Sequence, residues 1–293
     1  MICELCPRRC GVDRETNKGY CGCGEKARVA HVMLHKWEEP CISGANGSGC
    51  VFFSGCQLRC VYCQNRAISR AECGEEYGAE ELAHIFLDLQ HKGAHNINLV
   101  TPDHFAPQIY ASLGIAAENG LCIPAVYNCS GYALPETLKS ISDRINIYLT
   151  DFKYMSPELS KRYSSCADYP ERAADALEET VRERPECVYG DDGMMKEGVI
   201  VRHLILPGHT DDSKRVLEYV HKTYGSSVKI SIMNQFTPLG LEKYPEINRR
   251  LTTLEYDRVI EYALSIGITD AYIQEKGTAS ESFIPQFGNG TRI

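Results

Sequence analysis

The sequence predicts an α/β fold built on a parallel sheet and preceded by a small cysteine-rich module. Three observations carry this. Beyond residue 46, short apolar runs alternate with longer stretches of helical periodicity, the pattern of successive βα units. Residues 1–46 are instead rich in Cys, Gly and charge, and SGANGSG at 43–49 breaks the chain. The 293 residues, 43% of them hydrophobic, are enough for one large domain or two ordinary ones. The division read here is a module at 1–46 and a βα domain at 47–293.

The elements follow in order. AHVMLHKW alternates and reads as a strand, which argues against His31 and His35 forming a helical metal-binding pair. CVFFSG (50–55) is a short buried strand. EELAHIFLDLQHKG (80–93) is a helix stopped by glycine. INLV (97–100) is a strand, 105–119 a helix and IPAVYN (123–128) a strand. ALPETLKSI is a short helix, INIYLTDF (145–152) a strand, and PELSKRYSS and ERAADALEETVRERP are helices. GVIVRHLILP (198–207) is a strand, and DDSKRVLEYVHKTYG (211–225) is a helix with an acidic start and a glycine end. VKISIMNQF (228–236) is a strand, TLEYDRVIEYALSIG (253–267) a helix, and AYIQ adds a final short strand. Periodicity leaves a partial barrel, a full barrel and an open sheet all open. The tail ESFIPQFGNGTRI is expected to be ordered through Phe283, Ile284 and Phe287 and frayed at its end.

Thirty-one Lys and Arg against 39 Asp and Glu give a formal net charge of -8. No basic stripe stands out, which argues against bulk capture of nucleic acid or of an anionic membrane. No apolar run reaches the roughly 18 to 20 residues that span a bilayer. MICELCPRRC lacks the apolar core of a signal peptide. A cytoplasmic location is therefore expected. In that reducing compartment, 15 cysteines argue for metal ligation or catalysis where they cluster. Five fall within residues 3–23 and three within 56–63. Cys73, Cys122, Cys166 and Cys187 read as small apolar residues.

Functional groups of a parallel βα barrel collect at the C-terminal ends of its strands. The polar residues that interrupt the apolar pattern fall there: Thr101, Asp103 and His104; Asn128, Cys129 and Ser130; Asp151 and Lys153; Arg202 and His203; Asn234 and Gln235. The most pointed group is GCQLRCVYCQN at 55–65, where Cys56, Cys60 and Cys63 follow the first strand of the domain. Three thiolates suit an iron–sulfur cubane with one iron left open for another ligand. The alternative is a zinc site completed from a distant residue.

Cys56-x3-Cys60-x2-Cys63, with aromatic Tyr62 before the last cysteine, resembles the signature of the radical S-adenosylmethionine (SAM) superfamily. The whole chain is similar to the pyruvate formate-lyase activating enzyme group. In particular it resembles an activating-enzyme-like branch with an N-terminal CxxCPRxCG module and WEEPxISGxxGSG before the signature. The resemblance implies a partial (β/α)6 radical-SAM barrel, a [4Fe-4S] cluster on Cys56, Cys60 and Cys63, and SAM as cofactor. It implies an enzyme that reductively cleaves SAM to a 5′-deoxyadenosyl radical, which takes hydrogen from a protein or peptide. It further implies an external flavodoxin- or ferredoxin-like electron donor and an anaerobic setting. A small-molecule substrate, and a non-catalytic Fe–S or zinc scaffold, are the alternatives.

The resemblance also assigns SAM-binding positions. Tyr62 falls near the adenine. Thr101 and Asp103 stand where the family has a Gly-Gly-Glu stretch contacting the methionyl amino group, and Asp103 reads equally as a helix N-cap. Asn128 and Ser130 occupy the ribose or carboxylate stretch. Asp151 and Lys153 match an Asp-Leu-Lys stretch; mutual structural pairing is the alternative. Arg202 offers a guanidinium suited to a carboxylate. His203 and His209 read as structural histidines; Glu38 and Glu39 could approach the site, with exposure as the default reading.

The module offers a second metal site. Cys3, Cys6, Cys10, Cys21 and Cys23 lie among glycines that allow tight turns. A segment this short needs a staple. Zinc and a second Fe–S cluster both suit thiolates, and Cys41 or Cys50 could add a remote ligand, although Cys50, beside the strand, reads first as a buried residue.

Overall fold

The computed structural model of the chain describes residues 2–274. The tail read from Glu281 onward lies outside the described residues. The strands are β1 (Ala27–His35), β2 (Ser48–Phe53), β3 (Glu75–Tyr77), β4 (Ile97–Val100), β5 (Ala125–Cys129), β6 (Ile147–Asp151), β7 (Val188–Tyr189), β8 (Met195–Leu204), β9 (Lys229–Met233) and β10 (Ala271–Ile273). One sheet runs in the order β10-β9-β8-β6-β5-β4-β2-β1-β3, with β7 paired to β8 off that path. From β2 to β10 every neighbouring pair on this path is parallel. β1 then adds antiparallel to β2, and β3 antiparallel to β1. β3 and β10 form opposite edges, so the sheet is not closed among the described residues. This is a mostly parallel, partial-barrel α/β arrangement. The six expected parallel strands are present, and AYIQ supplies the seventh as β10.

The central parallel strands β2, β4, β5, β6 and β9 bury both faces, which explains why the sequence shows apolar runs there rather than alternation. Val51, Phe53, Leu99, Tyr127, Tyr148, Val201 and Ile232 face the helices and share the main core with Phe86, Ile109, Val216 and Val259. The alternate positions Val126, Ile147, Leu149 and Ile200 pack with Cys41 and Ile42 of the short helix Pro40–Ser43. Ile42 is fully buried; burying such a side chain is worth roughly 1.5–3 kcal/mol. Turn chemistry fixes the helix ends. Thr252 Oγ1 accepts from Glu255 N at 3.2 Å, while Glu255 accepts from Thr252 N at 3.0 Å, a capping box for the helix Thr253–Ser265.

The cysteine-rich segment does not stand apart. Its strand β1 enters the sheet, and its first turns lie on the loop after β2. The Arg8 guanidinium donates to the carbonyls of Gln57 (2.9 Å), Ser165 (2.9 Å) and Ser164 (3.2 Å). It also stacks over Tyr20. Arg14 is buried over the ring of Phe105 and donates to the carbonyls of Gly24 and His104. Among the described residues no helix is long and apolar enough to cross a membrane.

Candidate active site

The three signature cysteines sit on the loop after β2, at the C-terminal edge of the parallel sheet. Arg59 takes a positive φ of 55° inside this loop, and Cys63 N bonds to Cys60 O at 3.1 Å. The loop therefore doubles back and brings its thiols to one side. Leu58 N donates to Cys56 Sγ at 3.4 Å and Ser164 Oγ to Cys60 Sγ at 3.0 Å. Burial pushes the Cys56 thiol up to about 12 and raises that of Cys63. Thiols in so dry a place bind as thiolates only when a positive centre offsets the desolvation. Gln57 Oε1 and Arg59 Nε, inside the same loop, are buried polar atoms without a protein partner. A cubane spreads its thiolates over separate irons, so the sulfurs need not converge on one point. The donor set and its surroundings fit such a cluster.

Tyr62 is buried, and its hydroxyl lies 2.6 Å from that of Tyr154. Tyr154 in turn lies 3.0 Å from Ser164 Oγ, the donor to Cys60. A hydroxyl chain thus connects the aromatic position of the signature to a cluster sulfur. The Tyr62 ring packs at 5.8 Å from Phe236.

The strand-end residues meet beside this loop. Asp103 is fully buried in a 3₁₀ turn, and its carboxylate accepts from Gln57 Nε2 (2.7 Å) and Tyr127 Oη (3.4 Å). It caps no helix: the helix Ala106–Glu118 has Phe105 at its N-cap. Burial pushes Asp103 up to about 6. Thr101 takes a φ of 61°, a left-handed conformation uncommon for a β-branched residue, where the chain turns off β4. Gln57 Nε2 also reaches Ser130 Oγ at 3.5 Å. Gly131 has a φ of 77°, and a Cβ there would lie 2.2 Å from Asp151 O. Only glycine permits β5 and β6 to end so close together.

Arg202 on β8 donates to Asp151 Oδ1 (3.0 Å), Asn128 Oδ1 (2.6 Å) and Glu38 Oε2 (3.1 Å). Lys153 holds the other Asp151 oxygen at 2.5 Å. The parallel register sets Asp151 opposite Arg202 across β6 and β8, which explains the meeting. Half-buried Asp151 is held low by Lys153 and Arg202 against the upward pull of its desolvation. Lys153 is raised, with Asp151 and the Cys60 thiol outweighing burial. The two charges pair with each other, as the structural alternative expected, and they do so beside the signature loop.

Two expectations are corrected. Glu38 and Glu39 are not exposed: Glu38 pairs with Arg202 and Glu39 is buried, and burial raises both carboxyls. Cys50 is fully buried in β2, as its place beside the strand suggested, while Cys41, the other remote ligand considered, packs with Ile42; neither joins the N-terminal cysteines. The signal for Glu38 was Trp37-Glu38-Glu39-Pro40 itself, two charges directly ahead of a helix that plugs the barrel. His31 and His35 lie on β1, as the alternation predicted. His104, read only as one polar residue of the rim, proves to lie with Cys21 and Cys23, their ligand atoms within 4.8 Å of one another.

Comparisons with known proteins agree with this architecture. A model of the radical SAM superfamily matches residues 50–220, more than half of the chain. The uncharacterized protein MJ0674 of Methanocaldococcus jannaschii is 30% identical over 272 residues, covering 89% of this chain and 74% of that protein. Among solved structures, Streptococcus suis SuiB bound to S-adenosylmethionine aligns with a TM-score of 0.50 at 12% identity, over 76% of this chain and 48% of SuiB. SuiB bound to its precursor peptide SuiA aligns with a TM-score of 0.51 at 10% identity, over 76% and 47%. The chain spans about half the length of these solved chains, and at such identities the likeness shows the fold alone. With its family match placed on the strand and loop that carry Cys56, Cys60 and Cys63, the chain belongs to the radical SAM superfamily.

Proposed function

We propose that this radical SAM enzyme takes hydrogen from a protein or peptide substrate, in the manner of the pyruvate formate-lyase activating enzymes. The observation that carries the reading is the placement of three half-buried thiols beside the rim formed by Asn128, Asp151, Lys153 and Arg202. Cys56, Cys60 and Cys63 would hold the [4Fe-4S] cluster. That cluster and SAM, once bound and reduced, supply a 5′-deoxyadenosyl radical.

The chain's own groups have defined tasks. Arg202 is oriented by Asp151, Asn128 and Glu38, and presents a rigid cationic fork for a carboxylate. Asp103, near 6 and fully buried, offers an oxygen to an ammonium group. Tyr62, packed against Phe236, offers an aromatic face beside the loop. Thr101 and Ser130 supply hydroxyls at the ends of β4 and β5. Burial around the loop excludes water, which protects a reactive radical from side reactions. A polypeptide substrate is supported by the open sheet, and the similar fold of SuiB is known with a peptide bound. The reductant is read as an external flavodoxin- or ferredoxin-like protein, acting in the cytoplasm under anaerobic conditions.

The test is SAM cleavage by anaerobically reconstituted protein with a chemical reductant. Wild type should release 5′-deoxyadenosine, and Cys60→Ala should fall to background, a loss of at least about a thousandfold. Equal release by the variant would refute the cluster assignment. A radical detected by electron spin resonance on a partner chain supports the polypeptide reading. Deuterium exchanged into a metabolite instead would replace it with a small-molecule one.

A further inference from the structure

Cys21, Cys23 and His104 are not among the residues of the active site described above and lie against Ser54 and Gly55. They are 7%, 2% and 2% exposed, and one ligand atom from each lies within 4.8 Å of the others. Cys21 and Cys23 come from the N-terminal turns, and His104 from the turn after β4. His104 Nε2 lies 2.7 Å from the carbonyl of Ser54. A carbonyl only accepts, so Nε2 carries the proton and Nδ1 keeps a lone pair. Nδ1 is buried without a hydrogen-bond partner. An imidazole with one nitrogen fixed by a backbone carbonyl and the other bare is in the form that binds a metal.

The surroundings are shaped for this group. The Cys23 thiol donates to Ser54 O at 3.0 Å. Gly55, at φ 89°, leaves room for it: a Cβ there would lie 2.6 Å from Cys23 Sγ and 3.1 Å from His104 Nε2. Arg14 donates to the His104 carbonyl and brings a buried positive charge. A Cβ at Gly19 would lie 3.2 Å from Cys10 Sγ and 3.5 Å from Cys21 Sγ, so a further thiol of the same module stands close to Cys21.

We infer that Cys21, Cys23 and His104, completed by a fourth thiol of the same N-terminal turns, form a closed structural zinc site that clamps the N-terminal module to the loop carrying the signature cysteines. Mixed thiolate and imidazole ligands in a closed four-coordinate set suit zinc. Three thiolates, a neutral imidazole and a divalent cation sum to one negative charge, which Arg14 offsets. Ser54 and Gly55, which contact Cys23 and His104, immediately precede Cys56. The metal therefore fixes where the signature loop starts without taking part in its chemistry. Of the five thiols expected at a second site, Cys21 and Cys23 belong to this set, and its fourth ligand is drawn from Cys3, Cys6 and Cys10.

The test is metal analysis of the intact chain, reconstituted with iron and sulfide, incubated with zinc salt and freed of loose metal. About one zinc per chain is expected in wild type. His104→Ala and Cys23→Ser should lose most of it while keeping the iron held by Cys56, Cys60 and Cys63. Zinc content unchanged in both variants, or no zinc in wild type, would overturn the site. Should a variant misfold and lose iron as well, the wild-type zinc-edge absorption spectrum decides. A mixed sulfur and nitrogen shell supports the site, and a shell of sulfur alone overturns it.

Discussion

His203 shows how one side chain sets a pH limit on the fold. It is 2% exposed on β8, and its Nδ1–H donates to Phe152 O at 2.7 Å. Its Nε2 is buried with no partner. Protonation would bury an unsatisfied cation, and burial pulls the pKa down to about 4. The unfolded chain takes up this proton near pH ~6.5. Between the two values the unfolded state holds more protons, so this contribution is complete above that pH and falls away as pH drops toward the folded value. Relative to His203→Gln, wild type should lose about 2 kcal/mol between neutral pH and about pH 5. Urea unfolding of both proteins at the two pH values checks this, and parallel losses would show the histidine to be irrelevant. At the same scale, the residue types of the rim were legible in the sequence, because polar groups at strand ends interrupt apolar runs. Their pairings were not. Asp151 to Lys153 spans two residues, but Arg202 reaches Glu38 across 164 positions, and no local pattern encodes such a contact.

At the scale of elements, strands and helices followed from periodicity, and INLV matches β4 residue for residue. The exceptions have local causes. The segment 105–119 begins with a separate 3₁₀ turn at Asp103–Phe105, which buries Asp103, His104 and Phe105 together. β1 was legible as a strand, but its partner was not. The N-terminal turns act on the signature loop chiefly through Arg8, whose guanidinium holds the carbonyls of Gln57, Ser164 and Ser165. Hydrogen bonds to a charged group are worth about 1.5–3 kcal/mol each. Arg8→Ala should therefore raise amide hydrogen exchange in the Cys56–Cys60 loop and at the end of the helix Pro157–Ser164 by about tenfold or more. Exchange that stays at wild-type rates would mean that the loop is rigid without its N-terminal strap.

For the whole molecule, the division at residue 46 can be tested as a folding question. Residues 1–46 contribute β1, which pairs with both β2 and β3, and the helix whose Ile42 fills the space inside the sheet. A chain starting at residue 47 would expose β2 as an edge and leave Val126, Leu149 and Ile200 without Ile42. Such a chain should fail to give a soluble, cooperatively unfolding protein. A sharp thermal transition from residues 47–293 alone would establish the βα portion as self-sufficient. The sequence by itself determined the reaction class and the order of the elements. Both rest on short-range patterns: three cysteines within eight residues, and short apolar runs alternating with a hydrophobic period of about 3.6. Only the tertiary structure decided that Glu38 lies under Arg202, that the sheet stays open, and that His104 joins Cys21 and Cys23. Those outcomes depend on which distant segments share the burial of apolar surface, and chain folding brings them together without leaving a local mark.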